Sequence, residues 1–387
     1  MIAFIADDFT GAAEVAGICL RCGVTVSLLV NIPDVESIQA VRTDVLVLAE
    51  DTRSATRDGA VKVSRLLAEN LKAAGVTRIV KKIDSVLRGW VLPEMRTIAS
   101  VMGNESLVIQ PANTDTDRSV RNGMYFVGET LLSESSFSRD PDFPATSSSV
   151  QKLLESRGGA LETEEPVPYA IPDALNDEDL LHSVRLCNGN VLPGGSAAFC
   201  RVFLESQMRL GRLKSTPATE YGNPVFPLHD SLIICGSAHR NSRDFAERLK
   251  EEHFPVMEFP EALCQEEKPT QADYIHWVDS CVQKWEEERC LLIRTSNEQL
   301  SFPQAPEKLR YRMTETMNFL LQQIYPSQIL IEGGATAWGI IQRLGWSSFT
   351  PVREWLPGVV QLKLNEAEKQ CHITLKPGSY AWPEFRR

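Results

Sequence analysis

The sequence predicts two α/β domains, each a mostly parallel sheet flanked by helices, with a ligand cleft between them. Three observations carry this expectation. At 387 residues the chain exceeds what one ordinary core accommodates. Short apolar runs alternate with helical patterns through both halves, which implies parallel strands joined by right-handed crossovers. Between the halves, residues 214–230 hold Pro217, Gly222, Pro224 and Pro227 with no periodic core face, and read as a linker. The expected boundaries are therefore 1–213, 214–230 and 231–387.

The first apolar run, residues 2–6, breaks into the paired carboxylates Asp7 and Asp8. Thr10 and Gly11 follow, and an apolar helical pattern then runs through Cys22. That is a strand ending in polar groups with a helix starting at once, the junction where α/β proteins hold ligands. Further strands are expected at 25–30, 45–48, 78–83 and 107–109, with helices most clearly at 56–74 and 91–102. Residues 111–149 are rich in Asn, Asp, Ser, Thr and Pro with little periodicity, and read as a long functional loop. Pro193-Gly194-Gly195-Ser196 reads as a turn into a helix. In the second half, strands are expected at 232–235, 291–294 and 329–331, and helices at 242–252, 272–287, 310–325 and 335–344. Closing strands are expected near 352, 359–364 and 372–375.

The net charge of -11 argues against broad binding to nucleic acid or an anionic membrane. No window approaches the roughly 18 apolar residues of a membrane span, and the N-terminus lacks the pattern of a signal peptide. Nine scattered cysteines suit reduced thiols in a cytoplasmic protein. Cys19 and Cys22 close the first helix instead of opening one, so they read as packing residues. Monomer and homodimer both stay open.

Four polar clusters follow predicted strands in the first half. They are Asp7-Asp8, Asp51-Thr52-Arg53-Ser54, the run Lys81 to Gly89, and Gln110-Pro111-Ala112-Asn113. Strand carboxyl ends in a parallel sheet share one edge, so these clusters are expected to converge. They bring Arg53, Lys82 and Arg88 near Asp8 and Asp84. Cations grip a carboxylate, and aspartates accept hydrogen bonds from hydroxyls or take a proton, which suits a small polyhydroxy acid. The plain alternative for Asp8 is a helix N-cap. The second half has two glycine turns that enter helices, Gly236-Ser237 and Gly333-Gly334-Ala335-Thr336. Such turns let backbone N–H groups approach phosphates. Neither a Walker A nor a Rossmann glycine motif occurs.

I-A-D-D-x-T-G-A at 5–12, K-K-I-D-S-x-L-R-G at 81–89 and the G-x-x-L-x-x-x-x-x-F-x-x-D-P-x-x-P run at 128–144 together resemble the four-carbon acid sugar kinase family. So do D-A-x-x-x-x-D-L at 173–180, G-G-x-T-A at 333–337, Gly236-Ser237 and Pro357-Gly358. The resemblance runs nearly end to end. It implies an N-terminal domain that binds 3-oxo-tetronate, threonate or erythronate, and a C-terminal domain that binds ATP with Mg²⁺. Asp8, Asp7, Thr10, Arg53, Lys82, Asp84 and Arg88 would then face the acid. Asp8 would be the base, with Asp7 or Asp84 as substitutes. Ser237, Gly333, Gly334, Ala335, Thr336 and Gly378 would contact the nucleotide. The chain departs from the family pattern at Val86, Trp90, Leu92, Asn113, Ser242, Phe245 and Pro377. Those departures keep a second reading in view, a sugar-acid sensor without catalysis. A dehalogenase-type phosphatase needs its two aspartates at i and i+2, whereas Asp7 and Asp8 are adjacent.

Overall fold

The computed structural model describes residues 1–140, 142–158, 167–216, 225–236, 240–260, 263, 271–295, 305–366, 370–378 and 380–386. The chain forms two compact units, Met1–Thr219 and Glu220–Arg387.

In the first unit the elements run β1 (Ile2–Ala6), α1 (Phe9–Arg21), β2 (Val26–Val30), α2 (Val35–Ala40), β3 (Val45–Ala49), α3 (Arg57–Ala73), β4 (Ile79–Lys82), α4 (Val91–Met102) and β5 (Ser106–Gln110). There follow β6 (Arg118–Arg121), β7 (Met124–Val127), β8 (Thr130–Leu131), α5 (Val150–Gly158), β9 (Tyr169–Ala170), α6 (Asp177–Leu186), β10 (Val191–Gly195) and α7 (Ala197–Arg209). Its main sheet has the order β2-β3-β1-β4-β10-β5-β9, parallel throughout. β1 and β3 are buried at every residue, the pattern of parallel strands covered on both faces. α1 buries Phe9, Ala12, Val15, Ala16, Ile18 and Cys19. Burial pushes the Cys19 thiol well above its ordinary range, as expected for a packing residue.

The second unit runs β11 (Val225–Pro227), β12 (Ser231–Cys235), α8 (Arg240–Glu251), β13 (Val256–Glu258), α9 (Gln271–Glu288), β14 (Cys290–Arg294), α10 (Ala305–Leu321) and β15 (Gln328–Glu332). It ends in α11 (Gly334–Leu344), β16 (Ser348–Leu356), β17 (Val359–Leu364), β18 (His372–Lys376) and β19 (Glu384–Arg386). The order β13-β14-β12-β15-β18 is parallel, and β17 and β16 add antiparallel strands beyond β18. Phe226, Trp355 and Trp382 anchor one core cluster, with the Phe226 and Trp355 rings 4.5 Å apart. Among the described residues, no helix is long and apolar enough to cross a membrane.

Three expectations need correction. Residues 111–149 are not one loop: β6, β7 and β8 form a small antiparallel sheet there. The carboxylate of Asp173 holds its turn by accepting from the N–H groups of Asn122 and Gly123 at 2.7 and 2.9 Å. Pro193-Gly194-Gly195 is no turn either, but part of the central strand β10. A Cβ on Gly194 would lie 2.5 Å from Met95, and one on Gly195 would lie 2.3 Å from the Phe199 ring. The glycines are there because α4 and α7 press onto the strand, and only Ser196 starts the helix, as its N-cap. Finally, 214–230 is not wholly a linker. Ser215 and Thr216 donate to the carbonyls of Cys22 and Gly23, and Val225–Pro227 pairs with β19.

Candidate functional site

From β1 the first-unit chain goes to β2 and β3 on one side, then crosses to β4 on the other. Strand order reverses between β1 and β4, the position at which open α/β sheets hold ligands. β1 and β4 run directly into Asp7-Asp8 and into the Lys82-to-Arg88 turn, and Arg53 follows β3 closely.

Arg53 ties these strand ends together. Its Nε and Nη2 donate to the two oxygens of Asp7 at 3.1 and 3.0 Å. Its Nη1 lies 2.9 Å from Asp8, and Nη2 lies 3.6 Å from Asp84. Burial opposes the guanidinium charge, but three carboxylates hold its pKa well above the ordinary value. Asp84 is engaged on every side. It accepts a bidentate fork from Arg88 at 3.0 and 2.7 Å, and the backbone N–H groups of Val86 and Arg88. Burial would raise its pKa, but Arg88 and Arg53 overcome this and hold it far below the usual carboxylate range. The turn that Asp84 organises places Leu87 at φ 63, a left-handed conformation unfavourable for a branched side chain. Arg157 donates to the Leu87 carbonyl.

Asp8 is the N-cap of α1, its Oδ1 accepting from Gly11 N at 2.7 Å. The side chain of Asp8 is 20% exposed, against 3% for Asp7 and 8% for Asp84. Lys82 lies alongside: a Cβ on Gly11 would meet Asp8 Oδ1 at 2.7 Å and Lys82 Nζ at 3.2 Å. Glycine at position 11 thus lets this ammonium sit against the helix start. Lys82 donates to the Ile83 carbonyl at 3.1 Å and lies 3.5 Å from Glu14. Burial works against its charge, but Glu14, Asp7 and Asp8 keep its pKa above the ordinary value. Thr10 stands half-buried in the first turn of α1.

Several neighbours escaped the sequence reading. Lys81 forms a buried ion pair with Glu94, which also accepts from Thr52 at 3.1 Å. Glu50, which directly follows β3, is 8% exposed, and burial pushes its carboxyl up to about 7. Arg118 donates to Ser85 and stacks 5.2 Å from the Phe137 ring centroid. Asn113 is 4% exposed with Oδ1 unpartnered. Trp90 donates to the Ala55 carbonyl at 2.8 Å and meets the Phe143 ring edge-on. Asp140, from the D-P-x-x-P run, lies 3.7 Å from Arg88. Thr52, Lys81, Ser85 and Asn113 stood in the polar clusters after strands, and the D-P-x-x-P run and the departure at Trp90 pointed to others; Glu94, inside α4, carried no signal.

The second unit repeats the strand order. Its chain leaves β12 for β13 and β14, then returns across it to β15. Here the switch point carries glycine turns. Cys235 is in register with Glu332, so the two turns lie side by side, and a Cβ on Gly236 would strike Thr336 at 2.1 Å. Gly333 has φ 98 and leaves α11 without a side-chain cap. The first-turn N–H groups at Gly334, Ala335 and Thr336 are the kind that donate to a bound anion. Beneath the turn, Glu332 is fully buried and paired with Lys376. It also accepts from Ser242, from the Trp382 indole at 3.3 Å and from the Cys235 thiol at 3.2 Å. Lys376 in turn donates to the carbonyls of Pro377, Gly378 and Tyr380. This ammonium therefore fixes the Gly378 loop against β15; it is not a surface phosphate ligand. Ser237 lies outside the described residues.

Two family models match the chain: a sugar-binding N-terminal domain over residues 2–163 and a nucleotide-binding C-terminal domain over 232–380. A 3-oxo-tetronate kinase of Cupriavidus necator is 24% identical, covering 100% of this chain and 95% of its own length. A D-threonate kinase of Bordetella bronchiseptica is 32% identical over 50% of this chain and 52% of its own. The crystal structure of a Haemophilus influenzae protein shares the fold at a TM-score of 0.71 and 19% identity, covering 99% of this chain and 98% of that one. With both domain models matched in order, the chain belongs to the four-carbon acid sugar kinase family.

Proposed function

We infer that the protein is an ATP-dependent kinase that phosphorylates a hydroxyl of a four-carbon sugar acid such as 3-oxo-tetronate, threonate or erythronate. One observation carries this reading. The unit matching the sugar-binding model sets mixed charges at its switch point, whereas the unit matching the nucleotide-binding model sets bare glycine turns at its own. Its use of ATP supports a cytoplasmic location.

The second unit's turns suit a triphosphate. Gly333 at φ 98, the uncapped start of α11 and the close approach at Gly236 offer backbone donors without a side chain in the way. Gly333 to Thr336 would hold the phosphates, with Gly378 placed by Lys376. Mg²⁺ fits as an ion carried by those phosphates, since no described cluster of His, Cys, Asp and Glu is arranged around a metal. When bound, MgATP supplies the phosphoryl group and neutralises its developing charge.

The first unit's residues divide the remaining work. Asp8 is the base: it is the most exposed of the three carboxylates, and its Oδ2 keeps only Arg53 as a described partner. Asp84, pinned by Arg88, is too weak a base and instead shapes the turn. The Arg53 fork lies on Asp7, so Arg53 contributes a fixed charge that holds the aspartates in place. Lys82, with three donors and two described contacts, is the cation best placed to meet the acid's carboxylate. Arg88 and Thr10 complete the binding wall, and Asn113 presents an amide oxygen to a sugar hydroxyl.

The decisive experiment is an ADP-release screen with MgATP across C4 and C5 aldonic and keto-aldonic acids, paired with calorimetric binding of the same acids. Turnover on a C4 acid is expected. Binding of an acid with no turnover on any would replace the kinase with the sensor.

A further inference from the structure

A cavity of about 480 Å³ opens at the amino-terminal edge of the first unit's sheet, at the opposite end of β4 and β10 from the carboxylate cluster. It lies among the starts of those strands and the carboxyl ends of α4, α6 and α7. Four arginines line it, Arg78, Arg185, Arg209 and Arg212, and no described aspartate or glutamate does. In a chain of net charge -11 that is a strong local reversal.

Helix dipoles explain part of it. Arg185 and Arg209 sit in the last turns of α6 and α7, where a cation offsets the carbonyl ends. Arg78 precedes β4 and Arg212 lies beyond α7, so neither is accounted for in that way. Both donate to the same neutral atom: Oε1 of buried Gln207 accepts from Arg78 at 3.1 Å and from Arg212 at 3.3 Å. Two guanidinium groups thus converge on one uncharged acceptor. The only described ion pair of the four arginines is Arg209 with Glu205, at 3.9 Å. The rest of the lining mixes polar groups such as Asn104 and Ser206 with apolar ones that include Phe203. Guanidinium forks match phosphate oxygens, and the volume falls within the range of small-ligand sites.

We propose that this cavity binds a small phosphate monoester, its dianion on Arg78 and Arg212 and its apolar or aromatic body against Phe203, separate from the acid and nucleotide sites. The test is a calorimetric titration of the full chain with phenyl phosphate, with a non-hydrolysable ATP analogue and the sugar acid both saturating. One equivalent of phenyl phosphate is expected to bind, and benzyl alcohol is not. Arg78→Ala/Arg212→Ala should weaken binding at least about tenfold with kcat unchanged. Arg185→Ala, an exposed change that leaves both of those side chains in place, should weaken it less and serves if the double variant does not fold. No binding by the wild type up to about 10 mM would overturn the proposal. So would equal affinity in wild type and every variant that folds, or selective binding of an RNA oligonucleotide or acidic peptide at these arginines.

Discussion

The two units begin from the same topology and finish with opposite chemistry. In each, the first sheet strand has the third on one side and the fourth on the other, β1 between β3 and β4 and β12 between β14 and β15. In the first unit the strand ends meet in Asp7, Asp8, Arg53 and Asp84, a cluster of charged side chains. In the second they meet in Gly236 and Gly333, where the backbone is bare and the charged pair Glu332–Lys376 is buried beneath. The difference teaches that the topology supplies a place, and the residue types at the strand ends decide what fits there. A polyhydroxy acid needs several polar side chains at fixed angles. A phosphate needs many N–H groups and no obstruction.

The comparison breaks first at Asp8. Asp8→Asn should lower kcat by about 10²–10⁴-fold, in the range of a lost general base, with the fold retained by circular dichroism. Near-normal turnover would move the base elsewhere.

Next comes the second unit's buried pair. Lys376→Met leaves Glu332 charged and fully buried, and should destabilise by about 3–5 kcal/mol in urea unfolding. Lys376→Met with Glu332→Leu should recover much of that. If the single variant loses nothing, the ammonium does not hold the Gly378 loop.

Smaller effects should separate the two modes of recognition. Gly334→Val crowds the first turn of α11 and should raise the KM for ATP about tenfold, leaving the KM for the acid alone. Lys82→Met should do the reverse. A variant that moves both constants equally would erase the distinction between the units.

A pH dependence follows from Glu50. Burial raises its carboxyl from 4.5 to about 7 in the folded chain. Over that window the native state keeps a proton that the unfolded chain has released, so stability falls as pH rises and levels off above it. The full change is roughly 3 kcal/mol at most. Urea unfolding should show the wild type losing stability from pH 5 to pH 8, and Glu50→Gln losing less. Parallel losses in the two proteins would assign the pH dependence to another group.

Much of this was legible in the residues. The alternation of apolar runs and helical patterns foretold both parallel sheets, because crossover helices and buried strands leave that imprint locally. The D-D-x-T-G and K-K-I-D-S-x-L-R-G stretches foretold the cluster, because strand carboxyl ends in one sheet share an edge. Two stretches misled. Pro193-Gly194-Gly195 looks like a turn when read alone, yet Met95 and Phe199 impose those glycines on a central strand. Residues 118–131 look like loop because strands of two to four residues leave little room for hydrophobic alternation to show.

By itself, then, the sequence determined most of the main-sheet strands, the longer helices that join them, and which polar residues stand at their ends, since each follows from neighbours a few positions apart. Only the tertiary structure decided how those residues are used. Arg53 is bound to Asp7 at a separation of 46 residues, Lys376 serves Glu332 from the adjacent strand, and Arg78 meets Gln207, which it shares with Arg212, at a separation of 129 residues. Pairing between distant residues is set by burial and geometry in the assembled core. No local pattern encodes whether an arginine will meet a ligand or an aspartate of its own chain.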